Sequence, residues 1–76
     1  MDALLEYRLS QEEDKDIRRL IWILQIKQNC FEVSRTRRWL NIKRDKQIII
    51  LKDKGYNYGI LCDKAKTYKC MLEMFD

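Results

Sequence analysis

The chain has no histidine, no proline and only two glycines, Gly55 and Gly59, in 76 residues. Each shortage narrows the chemistry. Without histidine, general acid–base catalysis would fall to carboxylates, and the acids that cluster here do so at the start of a helix, where capping accounts for them. The three cysteines, Cys30, Cys62 and Cys70, form no C-x-x-C pair, so a structural zinc site is not expected. There is no glycine-rich loop to cradle a phosphate, and Ser10 and Ser34 read as helix caps rather than nucleophiles. The expectation is a protein that is not an enzyme, carries no cofactor or metal and acts on no small-molecule substrate. With so little proline and glycine, most of the chain should lie in regular structure.

Long apolar runs are missing too. The richest stretch, residues 17–26, is broken by Arg18, Arg19 and Gln25, and nothing in it spans a membrane. The opening "MDALLEYRLSQEED" is acidic where a secretory signal is basic. A cytoplasmic setting is expected, a host's cytoplasm if the source is viral. There, Cys62 and Cys70 are expected as free packed thiols and Cys30 as a packed core residue. Abundant Ile, Lys, Asn and Tyr beside scarce Gly and Pro hints at an AT-rich source such as a phage, virus or plasmid.

What is present points to a single small domain. Apolar residues make up 46% of the chain, a globular proportion. A chain this size buries only about 60% of its unfolded surface, so it gains from any partner or second copy. The charge is unevenly spread. Residues 1–16 carry six acids against Arg8 and Lys15, whereas residues 35–46 carry six cations against Asp45 alone. That asymmetry suggests a surface facing a polyanion, while a solvated helix face is the plainer alternative.

Residues 1–10 read as an N-terminal arm or short helix and residues 11–76 as the domain. Ser10 and Glu13 have capping-box spacing, which predicts a helix over about 11–29. Within it Ile17, Leu20, Ile21 and Leu24 follow the i, i+3, i+4, i+7 rule and define a core face. Trp22, Ile23, Ile26 and Cys30 fall on the other side. A helix apolar on two faces needs two covers, and a homodimer through Trp22, Ile23 and Ile26 supplies one; the N-terminal arm folding back is the alternative. A shorter basic helix is predicted over 32–41, with Asn41 at its turn.

Residues 45–54 admit two readings. As a helix they bury Ile48 and Leu51 and end at Gly55. As a strand they use three consecutive isoleucines, which favour extended backbone. Further on, Tyr58, Ile60 and Cys62 alternate with Gly59, Leu61 and Asp63, and Tyr68, Cys70, Leu72 and Met74 with Lys69, Met71 and Glu73. Strands paired through one apolar face are therefore expected over about 57–63 and 67–74.

The stretch "WLNIKRDKQIIILKDKGY", followed by that hairpin, resembles the winged helix-turn-helix DNA-binding domains over about residues 11–75. Leu40, Asn41 and Ile42 stand where that family turns between two helices, Ile48 and Leu51 where its recognition helix meets the core, and Gly55-Tyr56 where its wing begins. Asn41 replaces the usual glycine, and Arg44 and Gln47 occupy slots that are usually aliphatic or small. The resemblance implies an α+β fold and a small transcriptional regulator binding double-stranded DNA. It places Lys43, Arg44, Lys46 and Gln47 in the major groove, Arg35, Arg37 and Arg38 on backbone phosphates, and Lys64 and Lys66 at the wing tip. Neutralising about six phosphates would give a log–log salt slope of roughly −5.

Two other functions fit the same residues. A protein-interaction module or inhibitor would bind an acidic partner with its basic face and use exposed Trp39, Ile49 and Ile50 as anchors. RNA binding would stack bases on Tyr56, Tyr58 and Tyr68.

Overall fold

Asp14, rather than Ser10, opens the helix that organises the molecule. Its side chain accepts a hydrogen bond from the Asp16 amide at 2.9 Å in a computed structural model that describes residues 3–30 and 35–75. Ser10 instead ends a preceding helix, α1 (Ala3–Ser10), and its hydroxyl donates back to the Tyr7 carbonyl. The capped helix is α2 (Lys15–Gln28). It is followed by α3 (Arg35–Asp53), α4 (Tyr58–Thr67) and a single 3-10 turn over Met71–Met74.

The core face read on α2 is the one used: Ile17, Leu20, Ile21 and Leu24 are all buried. α3 runs back antiparallel along α2, because Gln47 near its end bonds the Asp16 carbonyl and Arg37 near its start bonds the Lys27 carbonyl. α4 and the 3-10 turn also pack on α2. Leu61, Ala65, Tyr68 and Met74 come from that side, Ile48 and Leu51 from α3, and Leu5 from α1. These elements cover the Ile17, Leu20, Ile21 and Leu24 face and bury Ile23, whereas Trp22 on the other side of α2 stays exposed and Ile26 half-buried.

The α+β winged fold is not adopted: among the described residues there is no strand. Two features of the expectation fail for physical reasons. The first is the turn at Asn41. Leu40, Arg44, Gln47, Ile48 and Leu51 are buried at i, i+4, i+7, i+8 and i+11, an unbroken helical stripe that runs through the residues assigned to a turn. The separate helices expected over 32–41 and 45–54 are one. The start placed at 32 lies outside the described residues.

The second is the hairpin. Asn57 caps α4, accepting from the Ile60 amide at 2.8 Å, and Leu61, Ala65 and Tyr68 bury one face at i, i+4, i+7. The residues expected to turn the hairpin, Ala65-Lys66-Thr67, include the helix formers Ala65 and Lys66 and neither the glycine nor the asparagine a tight hairpin turn prefers. Cys62 and Cys70 are free thiols, the first within α4 and the second just before the 3-10 turn.

α3 and α4 close with the same device. Gly55 (φ 107°) sits where the Tyr56 amide bonds the Leu51 carbonyl and the Gly55 amide bonds the Lys52 carbonyl, a Schellman pattern. Lys69 (φ 59°) occupies the equivalent place after α4, with the Cys70 amide on the Ala65 carbonyl and the Lys69 amide on the Lys66 carbonyl. A lysine there pays the left-handed penalty that glycine avoids. Lys69→Gly is therefore expected to stabilise the fold by about 0.5–1 kcal/mol. A urea midpoint that falls instead of rising would contradict this.

The start of α2 is tied to the end of α3. Lys54 Nζ lies 2.9 Å from Asp14 Oδ1 and 2.6 Å from Asp16 Oδ2, and the Tyr56 hydroxyl donates to Asp14 Oδ2 at 3.0 Å. Lys54 foremost, then the Asp16 amide and Tyr56, hold the Asp14 carboxyl down to about 2. Lys54 likewise lowers Asp16. Carboxyls depressed in the folded state stabilise it fully above the ordinary carboxylate range and lose that contribution as pH falls through their folded values. Lys54→Met should therefore shift acid unfolding, followed by far-UV circular dichroism down to pH of about 2, to higher pH. An unchanged acid midpoint would show that the ion pairs do not couple to folding.

Candidate functional site

The stripe that α3 turns toward the core leaves an opposite face of unusual composition. Trp39, Ile42, Ile49 and Ile50 all lie on it and are 54, 55, 60 and 45% exposed. Single exposed apolar residues are ordinary, but four large ones on one helix face form a patch. The core does not call on them, since Leu40, Ile48 and Leu51 fill the inner face of the same helix.

Cations stand among these side chains. Arg35, Arg38 and Lys46 are exposed, and Lys43 reaches over Trp39 with its Nζ 5.1 Å from the ring centroid. Lys46 falls between Trp39 and Ile42 on one side and Ile49 and Ile50 on the other. Beyond the end of the face, Lys52 Nζ stands 5.5 Å from the centre of the Tyr58 ring, which meets Phe75 edge-on at 6.3 Å.

The nine residues expected to contact DNA are thus divided. Arg35, Arg38, Lys43 and Lys46 share the outer face of α3. Arg44 and Gln47, expected in a major groove, are turned inward and buried, each at 4% exposure. Arg44 donates to Asn41 Oδ1, Asp45 Oδ1 and the Glu73 carbonyl, and Gln47 donates to the Asp16 carbonyl and side chain. Polar side chains survive burial here because they find such partners. Arg37 is half-buried, donating to the Lys27 carbonyl at 3.0 Å and to Glu73 Oε2 at 3.2 Å. Lys64 and Lys66 sit in the last turn of α4 instead of at a wing tip, and Lys64 pairs with Glu12.

The residues expected at a dimer interface divide as well. Ile23 is buried by the chain's own fold, whereas Trp22 is exposed and Ile26 half-buried. Trp22 and Leu9 line an open groove of about 810 Å³ between α1 and α2, beside Arg18, Arg19 and Glu6.

Ile42 is the member of the outer face that sequence reasoning missed, having been assigned to a turn. Its signal was the spacing 39, 42, 46, 49, which alternates three and four residues and needs no turn. The chain matches no family profile, no curated protein and no solved structure. No helix among the described residues is long and apolar enough to cross a membrane.

Proposed function

We propose that the chain is a protein-binding module that docks an acidic, partly apolar partner through the outward face of α3. The observation carrying this reading is the set Trp39, Ile42, Ile49 and Ile50, exposed together on a helix whose core duty is met by its other side. Large aromatic and aliphatic anchors, desolvated on contact, supply most interface energy, and surrounding charges select the partner. The cations here favour carboxylates.

Nucleic-acid binding is the second reading, favoured by Arg35, Arg38, Lys43 and Lys46 on that same face. Such residues grip phosphates. What supports the first reading over it is that Arg44 and Gln47 are spent inside the fold, while isoleucines occupy the positions where base-reading side chains would stand.

Trp39 reports directly on the face in a Trp22→Phe background. Its emission is expected to shift blue and saturate on titration with an acid-rich amphipathic peptide. Ile49→Ala should weaken that binding by about tenfold or more without changing the far-UV spectrum, because Ile49 lies outside the core. Response to a short random DNA duplex, with steep salt dependence and none to the peptide, would establish the nucleic-acid reading instead. Response only to phosphatidylglycerol vesicles would make the face a lipid contact and overturn both.

A further inference from the structure

The outer face of α3 has a finer pattern than an apolar patch with charges around it. Arg35, Trp39, Ile42, Lys46, Ile49 and Asp53 are spaced four, three, four, three and four residues apart. That is the a/d repeat of a coiled-coil seam, sustained along a helix whose 18 steps span roughly 27 Å. An a/d seam on a convex helix is complementary to one shape in particular, another helix laid along it.

We infer that the element docking on α3 is an acidic amphipathic helix with heptad spacing, and that Lys46 sets its register by meeting a carboxylate in the partner's otherwise apolar seam. This rests on the reading of α3 as the docking face. Beside the seam, Arg38, Asp45 and Lys52 form one flanking row, and Lys43 and Ile50 the other. Counting seam and flanks, five cations stand against two carboxylates. Flanking positions of a coiled coil choose partners by opposite charge, so the partner's flanks are acidic. A lysine within the seam is tolerated only if its ammonium is paired once water is excluded. A single such polar position fixes register at a cost in affinity.

The same geometry argues against a second copy as occupant. Antiparallel self-pairing that aligns the two seams sets Trp39 against Ile49 and Ile42 against Lys46. Arg35 would then find Asp53, but Lys43 would face its own copy and Arg38 would face Lys52. Parallel self-pairing would set Lys46 against Lys46. In each alignment Lys46 enters the seam with no counter-charge, and like charges oppose along the flanks. An anionic membrane is disfavoured by the same residue, since insertion to the depth of Ile42 and Ile49 would carry the Lys46 ammonium along. Asp53 at the end of the seam would also meet the lipid charge.

Three synthetic peptides of about three heptads, titrated against the full chain with Trp22→Phe, separate the possibilities. The first has leucine seams, glutamate flanks and one glutamate at a seam position. The second has the same composition scrambled out of heptad order, and the third carries lysine in place of the seam glutamate. The first is expected to bind at least about tenfold more tightly than the others. Lys46→Glu should reverse the preference between the first and third, and Lys46→Met should abolish it; Lys46 is exposed, so both variants keep the wild-type far-UV spectrum. Equal binding of the scrambled peptide would overturn the helix inference while leaving the docking face in place. A preference that does not follow the charge at residue 46 would remove its register role. Sedimentation as a dimer that Ile49→Ala dissolves would make a second copy the occupant. If no peptide binds, the docking reading itself fails.

Discussion

Lys27→Ala is expected to destabilise the fold by about 3–5 kcal/mol, the range for breaking a buried charged contact and leaving its partners behind. Lys27 lies on α2 with no exposed surface. Its Nζ donates to the Glu73 carbonyl at 3.0 Å and the Phe75 carbonyl at 3.2 Å, and stands 3.7 Å from Glu73 Oε2. Arg44 reaches the same Glu73 carbonyl, and Arg37 the Glu73 carboxylate. Cations from two helices thus hold the C-terminal turn by its backbone. Truncation to alanine takes the ammonium from both carbonyls, leaving the Glu73 carbonyl to Arg44 alone, and opens a cavity along the lysine stem. A domain of this size is stable by roughly 4–11 kcal/mol, so the variant should retain little folded structure in mild urea. Lys27→Met separates the two contributions. It keeps the stem's volume and loses the donor, so about 1–3 kcal/mol is expected, with loosening concentrated in residues 71–75. Urea unfolding read by circular dichroism measures both. An alanine variant within about 1 kcal/mol of the parent would mean that the C-terminal turn is held by other contacts.

That cluster also shows what the sequence could and could not disclose. The α2 core face was legible because four aliphatic residues repeat at helical spacing. The end of α3 at Gly55 was legible because a glycine after a periodic run has a specific backbone use. The continuity of α3 was hidden because Arg44 and Gln47, two of the five residues on its buried stripe, are polar and break the apolar pattern. Only their partners explain their burial: Asn41 and Asp45 on α3 itself, and Asp16 and Glu73 from distant parts of the chain. On α4 the reverse occurred. Ala65 is buried but small, so the Leu61, Ala65, Tyr68 face was outweighed by an apparent alternation through Tyr58, Ile60 and Cys62. Of the basic block, Arg35, Arg38, Lys43 and Lys46 remain outward, while Arg44 turns in and Arg37 is half-buried. No rule of charge counting separates them; their angular positions on one uninterrupted helix do. Ile49 and Ile50 resisted placement because nothing among the described residues covers the face they stand on.

Asn41→Pro is the sharpest probe of that uninterrupted helix. Asn41 stands a third of the way along α3, and helical geometry directs its amide to the Arg37 carbonyl. Proline removes that donor and drives its ring against the same carbonyl, a loss of about 3 kcal/mol or more in a helix interior. The Asn41 side chain also accepts from Arg44 at 3.1 Å, so a buried guanidinium loses a partner as well. In a helix-turn-helix the residue would sit in a turn, where glycine is the preferred occupant and Asn41→Gly would be neutral or stabilising. In the continuous helix Asn41→Gly is destabilising by up to about 0.5 kcal/mol on backbone entropy alone. The pair of variants therefore fixes the sign as well as the size of the effect, and urea unfolding reads both. An Asn41→Pro variant as stable as its parent would return the turn to residue 41. The substitution bears on binding too. A kink at this point turns Trp39 away from the line of Ile42, Lys46 and Ile49, so any folded fraction that remains should bind an acidic helix weakly, though no side chain of the docking face has been changed.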